Sequence, residues 1–528
     1  MKGIIAAGSK QTAEAGAEML RRGGNAVDAV VAAAFASFIG ETIISTPAGG
    51  GFALLHAPGR DPVLYDFFCT APGMGRDGLP PEMDFRPITV VYESGTSVYH
   101  IGRASSAVPG NIAGLAQLLE EAGTLPLAVT LEPAIRMARE GFALSAYQAY
   151  LIHLVEAILS HDSACLAIFA PEGRLLNEGE HFANPALADT LEQVAREGWQ
   201  TFYTGALAEA IVADHAAHGG LITAEDLAAY RVIKREPLRF TYKAYTVYTN
   251  PPPSAGGMLI AYALRLFGRA DLSSLTHGSA DHIALLTEIM QQVNVASHRD
   301  RPAMLPDPAA WAAWLSDSHM AADWEAVAAA LASGKARHSA DIPGGPPATT
   351  HISAMDESGL AVGLTTTPGE TAGYVVGETG ILMNNILGED ALNPEGFHKW
   401  PPGTRPPSMM APTIAADDSG PRLVAGSGGA NRLRSAIFHF LSNVLDWGMP
   451  LAEAVDRPRT HLENGVIDLE GGYDPAAADE LEARGYAVSR WPGRAFYFGG
   501  THVTHRTRSG RLEGAGDPRR GGAVVRVE

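Results

Sequence analysis

The sequence predicts a large α/β protein, either two domains or one layered unit, on three observations. At 528 residues the chain exceeds the size at which a single core stops growing. Its 46% hydrophobic and 18% charged residues describe a globular chain with ample core. Helical patterns dominate the N-terminal part, and short strand patterns take over after Thr350.

The first element is a helix from Ser9 to Arg22, where a cap-capable serine precedes helix formers and Gly23-Gly24 supply a stop. Asn25 opens an Ala-rich second helix. Its stretch Ala29 to Gly40, "AVVAAAFASFIG", is too short to span a bilayer and reads as buried core. "STPAGGGFALLHA" then turns extended, its triple Gly49-Gly50-Gly51 permitting close contacts that a side chain would block. "LEPAIRMAREGF" and "SADHIALLTEIMQQVNVASHRD" carry helical periodicity, and Pro302 to Pro347, rich in Ala, Asp, Gly and Pro, predicts an exposed connector. Next comes a hairpin. Thr350 to Met355 alternates around Ile352, Asp356-Glu357-Ser358-Gly359 supplies turn chemistry, and Leu360 to Thr367 returns. Short strands follow, broken by a helix from Arg434 to Trp447.

Charge and motifs exclude several functions. The balance of 39 basic against 58 acidic side chains gives −19, with no local Lys/Arg cluster to reverse it, so nucleic acid is not an expected partner. The two cysteines, Cys69 and Cys165, are far apart and in no metal-like spacing, which fits a reducing, cytoplasmic setting. The apolar run Gly3 to Gly8 is too short for a signal-peptide core, and neither export nor membrane insertion is expected. No His-Glu-x-x-His pair occurs, and "HGSADH" from His277 to His282 lacks the i, i+4 spacing, so no metal is expected. "RLVAGSGGANRLRSAIFHFLSNVL" reads as strand, glycine turn and helix. It lacks the third glycine and the Gly-Lys-Ser/Thr of nucleotide loops, so no cofactor is expected. The same geometry suits an oxyanion hole, because small residues at a helix N-terminus expose backbone N–H groups.

Thr349, Thr350 and His351 open the hairpin, and a threonine on a strand is ordinarily structural. The wider sequence gives this trio a second meaning. "RRGGNAVDAVVAAAF", "AVPGNIAGL", "EPAIRMAREGF", "GGLITAEDLAAYRV", "NPPPSAGGM", "ATTHISAMDESG", "GETGILMNN", "RPPSMMAPTI" and "GSGGANR" resemble, in this order, the γ-glutamyltransferase (glutathione hydrolase) family over nearly the whole chain. The resemblance implies a four-layer αββα N-terminal-nucleophile hydrolase sandwich, made as an inactive chain that cuts itself before a threonine. That threonine matches Thr349, giving a large subunit 1–348 and a small subunit 349–528 that together form one unit. A threonine hydroxyl is a poor nucleophile until a base adjoins it, and cleavage of the Ala348–Thr349 bond frees an α-amine that can be that base. Thr367 matches a second threonine whose hydroxyl bonds the nucleophile. Gly429 and Ala430 match a glycine pair whose N–H groups form the oxyanion hole, and alanine keeps the N–H. His351 is read as structural support.

The family's clamp for the glutamyl α-carboxylate and α-amine is largely gone. Phe68 in "DFFCTAP" stands where an arginine belongs, Gly369 stands near an expected asparagine, and Ile386 and Glu389 replace glutamine and aspartate. Of a serine pair, Ser408 remains and Met409 replaces the other. These changes remove bidentate carboxylate recognition and add apolar surface. Arg103 and Arg432 are the alternative sources of positive charge. The resemblance implies a small-molecule amide substrate, an acyl-enzyme, and room for an oligomer of the two-subunit unit; hydrolysis is expected to exceed transfer because an acceptor amine needs its own binding contacts and none is evident. Three functions follow: a γ-glutamyl amide hydrolase or transferase of altered specificity, an amidohydrolase for another small acyl amide such as an oxamate-type compound, or a non-catalytic binding descendant. Retention of Thr349, Thr367 and the glycine turn argues against the last.

Overall fold

In the computed structural model, which describes residues 1–92, 95–304, 307–337 and 348–528 (backbone alone for 301–304), the N-terminal helices form where their caps predict. Ser9 accepts the Thr12 N–H at 3.1 Å and starts helix Lys10–Arg21. Asn25 and Asp28 make a reciprocal capping box for helix Ala26–Gly40, every residue of which is buried. A helix that is apolar all round belongs between other layers, and this one packs on the hairpin strands Thr350–Asp356 and Ala361–Thr367.

Those strands lie at the centre of a seven-stranded antiparallel sheet. Its order is Ala523–Val527, Gly3–Ala7, Thr350–Asp356, Ala361–Thr367, Gly50–His56, Val63–Phe67 and Ile233–Arg235. Period-two alternation divides the hairpin between two cores: Ile352, Ala354, Val362 and Leu364 face the N-terminal helices, whereas Met355 and Ala361 face a second sheet. The second sheet is six-stranded and antiparallel, ordered Leu512–Ala515, Gly500–Arg506, Gly420–Gly428, Thr413–Asp417, Tyr245–Thr249 and Leu238–Tyr242. Helices Gly256–Phe267 and Arg432–Leu445 pack together and cover its outer face. The result is the αββα sandwich that the resemblance implies.

The glycine triple earns its place by contact. A Cβ on Gly49 would sit 2.6 Å from the Thr367 carbonyl oxygen, and one on Gly51 would sit 2.4 Å from that of Thr365. Strand Gly50–His56 can therefore lie flush against the strand ending at Thr367.

The connector expected from Pro302 to Pro347 is corrected in part. Helix Ala280–Met304 overruns its start, and helices Pro308–Trp314 and Asp317–Ser333 follow, capped by Asp307 and Ser316 and burying Trp314, Met320 and Val327. The remainder of that expectation, 338–347, lies outside the described residues. The last third holds two helices beyond the expected one, Leu451–Asp456 and Pro475–Ala483. Among the described residues no helix is long and apolar enough to cross a membrane. Both cysteines are buried free thiols.

The buried histidines set an acid limit. Burial pushes His215 and His282 down to about 3 and His502 to about 4, and holds His351, His439 and His461 well below the usual range. Unfolded, each takes a proton near pH 6.5, so stability should fall as pH drops from 6.5 toward 4. Each contributes at most about 1.4 kcal/mol per pH unit. Three carboxyls raised by burial, Glu41, Glu370 and Glu389, oppose this slope but are outnumbered. Urea unfolding across that range tests it, and a midpoint constant with pH would contradict it.

Candidate active site

Thr349 precedes the central strand and its hydroxyl donates to the Ala348 carbonyl at 2.8 Å. The hydroxyl of Thr367, at the end of the paired strand, donates to the same carbonyl and accepts the Gly369 N–H at 3.0 Å. This refines the expectation: in the uncut chain Thr367 bonds the carbonyl that Thr349 would attack, and not Thr349 itself. Two hydroxyls on one carbonyl polarise it toward tetrahedral addition.

Three buried groups fix this corner. The Arg520 guanidinium donates to the Thr349 carbonyl at 3.1 Å and lies 3.8 Å from the Phe496 ring centre, and burial lowers it to about 10. Glu41 accepts hydroxyl hydrogen bonds from Thr12 and Thr350. His351 bonds Thr365 at 2.8 Å and Ser353 at 2.9 Å, the support expected of it. The sequence reading missed Glu41 and Arg520. Their only local signal was a charged residue abutting an apolar helix and a basic pair between glycines, "DPRRGG".

The glycine turn closes the other side. A Cβ on Gly428 would lie 2.0 Å from the Thr349 carbonyl oxygen, so glycine lets the two chain segments touch. Gly429 and Ala430 follow at φ of 125° and 49°, and helix Arg432–Leu445 begins immediately after. Ala430 lines the cavity with Thr349, as a residue contributing an oxyanion donor must; Gly429 is not among the lining residues. Ala430→Gly should be silent or stabilising by up to about 1–2 kcal/mol, because φ is left-handed there. Gly428→Ala should instead displace Thr349 and slow chain cleavage, read on a denaturing gel. Normal cleavage in Gly428→Ala would show that the contact does not matter. Proline at Ala430 would remove the N–H but also force φ to about −65°, so it cannot isolate the donor.

The cavity, of about 120 Å³, is walled by Phe68, Ile386, Leu392, Pro394, Pro407, Met409, Met410 and Leu433, with Ala348, Thr349, Thr367, Gly369, Glu389 and Ser408 completing its polar side. Phe68 stacks on Phe52 at 5.7 Å. Ser408 is turned inward, its hydroxyl accepting the Met410 N–H at 3.0 Å. Glu389 is buried, and burial together with neighbouring Glu370 holds its carboxyl well above the usual range. Glu370, which the sequence reading did not select, is pushed up to about 7 by burial. Among the described residues no cluster of His, Cys, Asp and Glu could hold a metal ion.

Both candidate arginines are corrected. Arg103 is held by Asp214 at 3.2 Å and Asp84 at 3.4 Å, with its guanidinium 4.3 Å from the Tyr374 ring centre, and does not line the cavity. Three acidic neighbours, counting Asp162 at 3.9 Å, give it a structural role. Arg432 lies 4.6 Å from the Tyr497 ring centre and 3.7 Å from Glu463, also outside the lining.

A four-layer sandwich with a hydroxyl-lined cavity at the strand ends defines an amidohydrolase of the N-terminal-nucleophile class. The sequence model described as Gamma-glutamyltranspeptidase matches residues 12–527, and the chain belongs to that family. It is 32% identical to a glutathione hydrolase proenzyme of Escherichia coli, over 98% of this chain and 90% of the relative. It is also 32% identical to the acylase ACY 1 proenzyme of Pseudomonas sp. strain V22, over all of this chain and 94% of the relative. The crystal structure of a cephalosporin acylase from Bacillus halodurans superposes with a TM-score of 0.83 at 25% identity, covering 99% of this chain and 95% of that one.

Proposed function

We propose that this chain is a self-processing threonine amidohydrolase for a small amide whose acyl part carries no α-carboxylate. The Thr349 hydroxyl attacks the Ala348 carbonyl, an ester forms as the C–N bond breaks, and the hydroxyl proton passes to the leaving α-amine. Water then hydrolyses the ester, releasing residues 1–348 from 349–528. In the mature enzyme the freed amine of Thr349 acts as base, the same hydroxyl forms an acyl-enzyme with the substrate, and Thr367 and the Ala430 N–H bind the oxyanion. Water is the usual acceptor, since the lining shows, among the described residues, no second set of contacts for an acceptor amine beside the acyl group.

The observation that carries the substrate reading is the cavity wall: Phe68 occupies it, and no arginine, lysine or histidine lines it among the described residues. A carboxylate placed there would lose charge-assisted hydrogen bonds worth about 1.5–3 kcal/mol and remain poorly solvated. Of the activities named among the relatives, glutathione hydrolase and acylase, this wall favours the second. The test compares kcat/KM for γ-glutamyl p-nitroanilide and butyryl p-nitroanilide in cleaved wild type and Phe68→Arg. Wild type should prefer the butyryl compound at least about tenfold, and Phe68→Arg should narrow that preference. A strong wild-type preference for the glutamyl compound, with no gain in Phe68→Arg, would overturn the reading.

A further inference from the structure

In the uncut chain Ala348 is itself an acyl group seated in this site. Its carbonyl meets Thr349 and Thr367, and its side chain lines the cavity. What the site does with the nitrogen of that residue therefore bears on what it expects from a substrate. The Ala348 N–H is taken by the Glu370 carboxyl, which also receives the Tyr92 hydroxyl. Glu389 stands beside it, in the cavity wall.

Neither carboxyl is satisfied. Glu370 is 1% exposed and Glu389 4% exposed, and the Oε1 atom of each is buried without a hydrogen-bond partner. The Asn385 Nδ2 nearby is also unpartnered, while its Oδ1 accepts the Glu370 N–H at 2.8 Å. The nearest cations are committed elsewhere, Arg520 to the Thr349 carbonyl and Arg432 to Glu463. Two buried carboxyls side by side are costly unless a proton or a cation joins them. An ammonium supplies three donors and a full charge, the complement of this pair.

Resting on Thr349 as the nucleophile, we propose that the substrate's acyl group is an α-aminoacyl group with a small apolar side chain, its ammonium lying between Glu370 and Glu389 where the Ala348 N–H lies before cleavage. The reaction is hydrolysis of an amino-acid amide or of the first peptide bond of a small peptide. The scissile C–N bond breaks as the Thr349 ester forms, the leaving amine takes a proton, and water releases the amino acid. Glu370 and Glu389 determine specificity without touching the reacting atoms.

The test uses cleaved wild type with alanine p-nitroanilide and propionyl p-nitroanilide, which differ only by the ammonium. The alanyl compound should be favoured at least about tenfold in kcat/KM, mainly through KM, and Glu370→Gln and Glu389→Gln should each cut that ratio about tenfold. Competitive inhibition of wild type by alaninol, but not by isobutanol, covers the case in which either variant fails to cleave. A wild-type ratio near or below one, a ratio unchanged in both variants, or equal inhibition by the two alcohols overturns the proposal. Turnover of propionyl but not alanyl p-nitroanilide would sink this inference and leave the carboxyl-free amidohydrolase standing. Faster turnover of γ-glutamyl p-nitroanilide than of either would sink both.

Discussion

Thr349→Ala should yield a single uncut chain with amide turnover at background. In the proposed mechanism the hydroxyl that attacks Ala348 and the one that later forms the acyl-enzyme are the same group, so one substitution removes both reactions. The expected loss is total on a denaturing gel and several orders of magnitude in kcat, while folding survives because Thr349 adds little to the core. Thr349→Ser keeps a hydroxyl and should still cleave, more slowly, since serine lacks the methyl that restricts the rotamer. Cleavage of Thr349→Ala at the same bond would mean that another group performs the cut.

The second large effect is expected at Thr367. Its hydroxyl donates to the Ala348 carbonyl, the proposed site of cleavage, and loss of one preorganised donor to a developing oxyanion costs about 10²- to 10³-fold. Thr367→Val preserves shape and strand propensity, so cleavage should slow by that factor while the thermal midpoint moves little. The Gly369 N–H also loses its acceptor in this variant, and Thr367→Ser, which keeps the hydroxyl and both bonds, shows whether the loss belongs to the hydroxyl or to the change of side-chain shape. If Val and Ser behave alike, the hydroxyl has no part in the chemistry and Thr367 is a strand residue.

The hairpin was legible because its determinants are local: alternation on both strands and an Asp-Glu-Ser-Gly turn between them. Helices whose caps lie in sequence beside them were legible for the same reason, Ser9 and Asn25 above all. The segment after Pro302 was misread because its Ala, Asp and Pro content resembles a linker, although Asp307 before Pro308 and Ser316 before Asp317 are cap signals of the same kind. Among site residues, Phe68 was located by resemblance and not by any pattern, since nothing local marks an aromatic as a cavity wall. Arg103 was misassigned because its partners Asp84, Asp162 and Asp214 are distant in sequence, and only the assembled fold shows its charge to be satisfied. Glu41, Glu370 and Arg520 were invisible for the complementary reason. Each acquires meaning from the group it meets across the fold, the Thr350 hydroxyl, the Ala348 N–H and the Thr349 carbonyl respectively.

The central claim is that one hydroxyl, that of Thr349, first cuts the chain and then carries the acyl group. Intact-mass analysis of purified wild type, before and after an acid quench during turnover of a slow amide, reads both events at once. The account predicts a chain beginning at Thr349 and ending at Glu528, and a quenched species heavier by the acyl group with the added mass mapped to Thr349. An uncut chain with full turnover, or an acyl group mapped to any other residue, would contradict it.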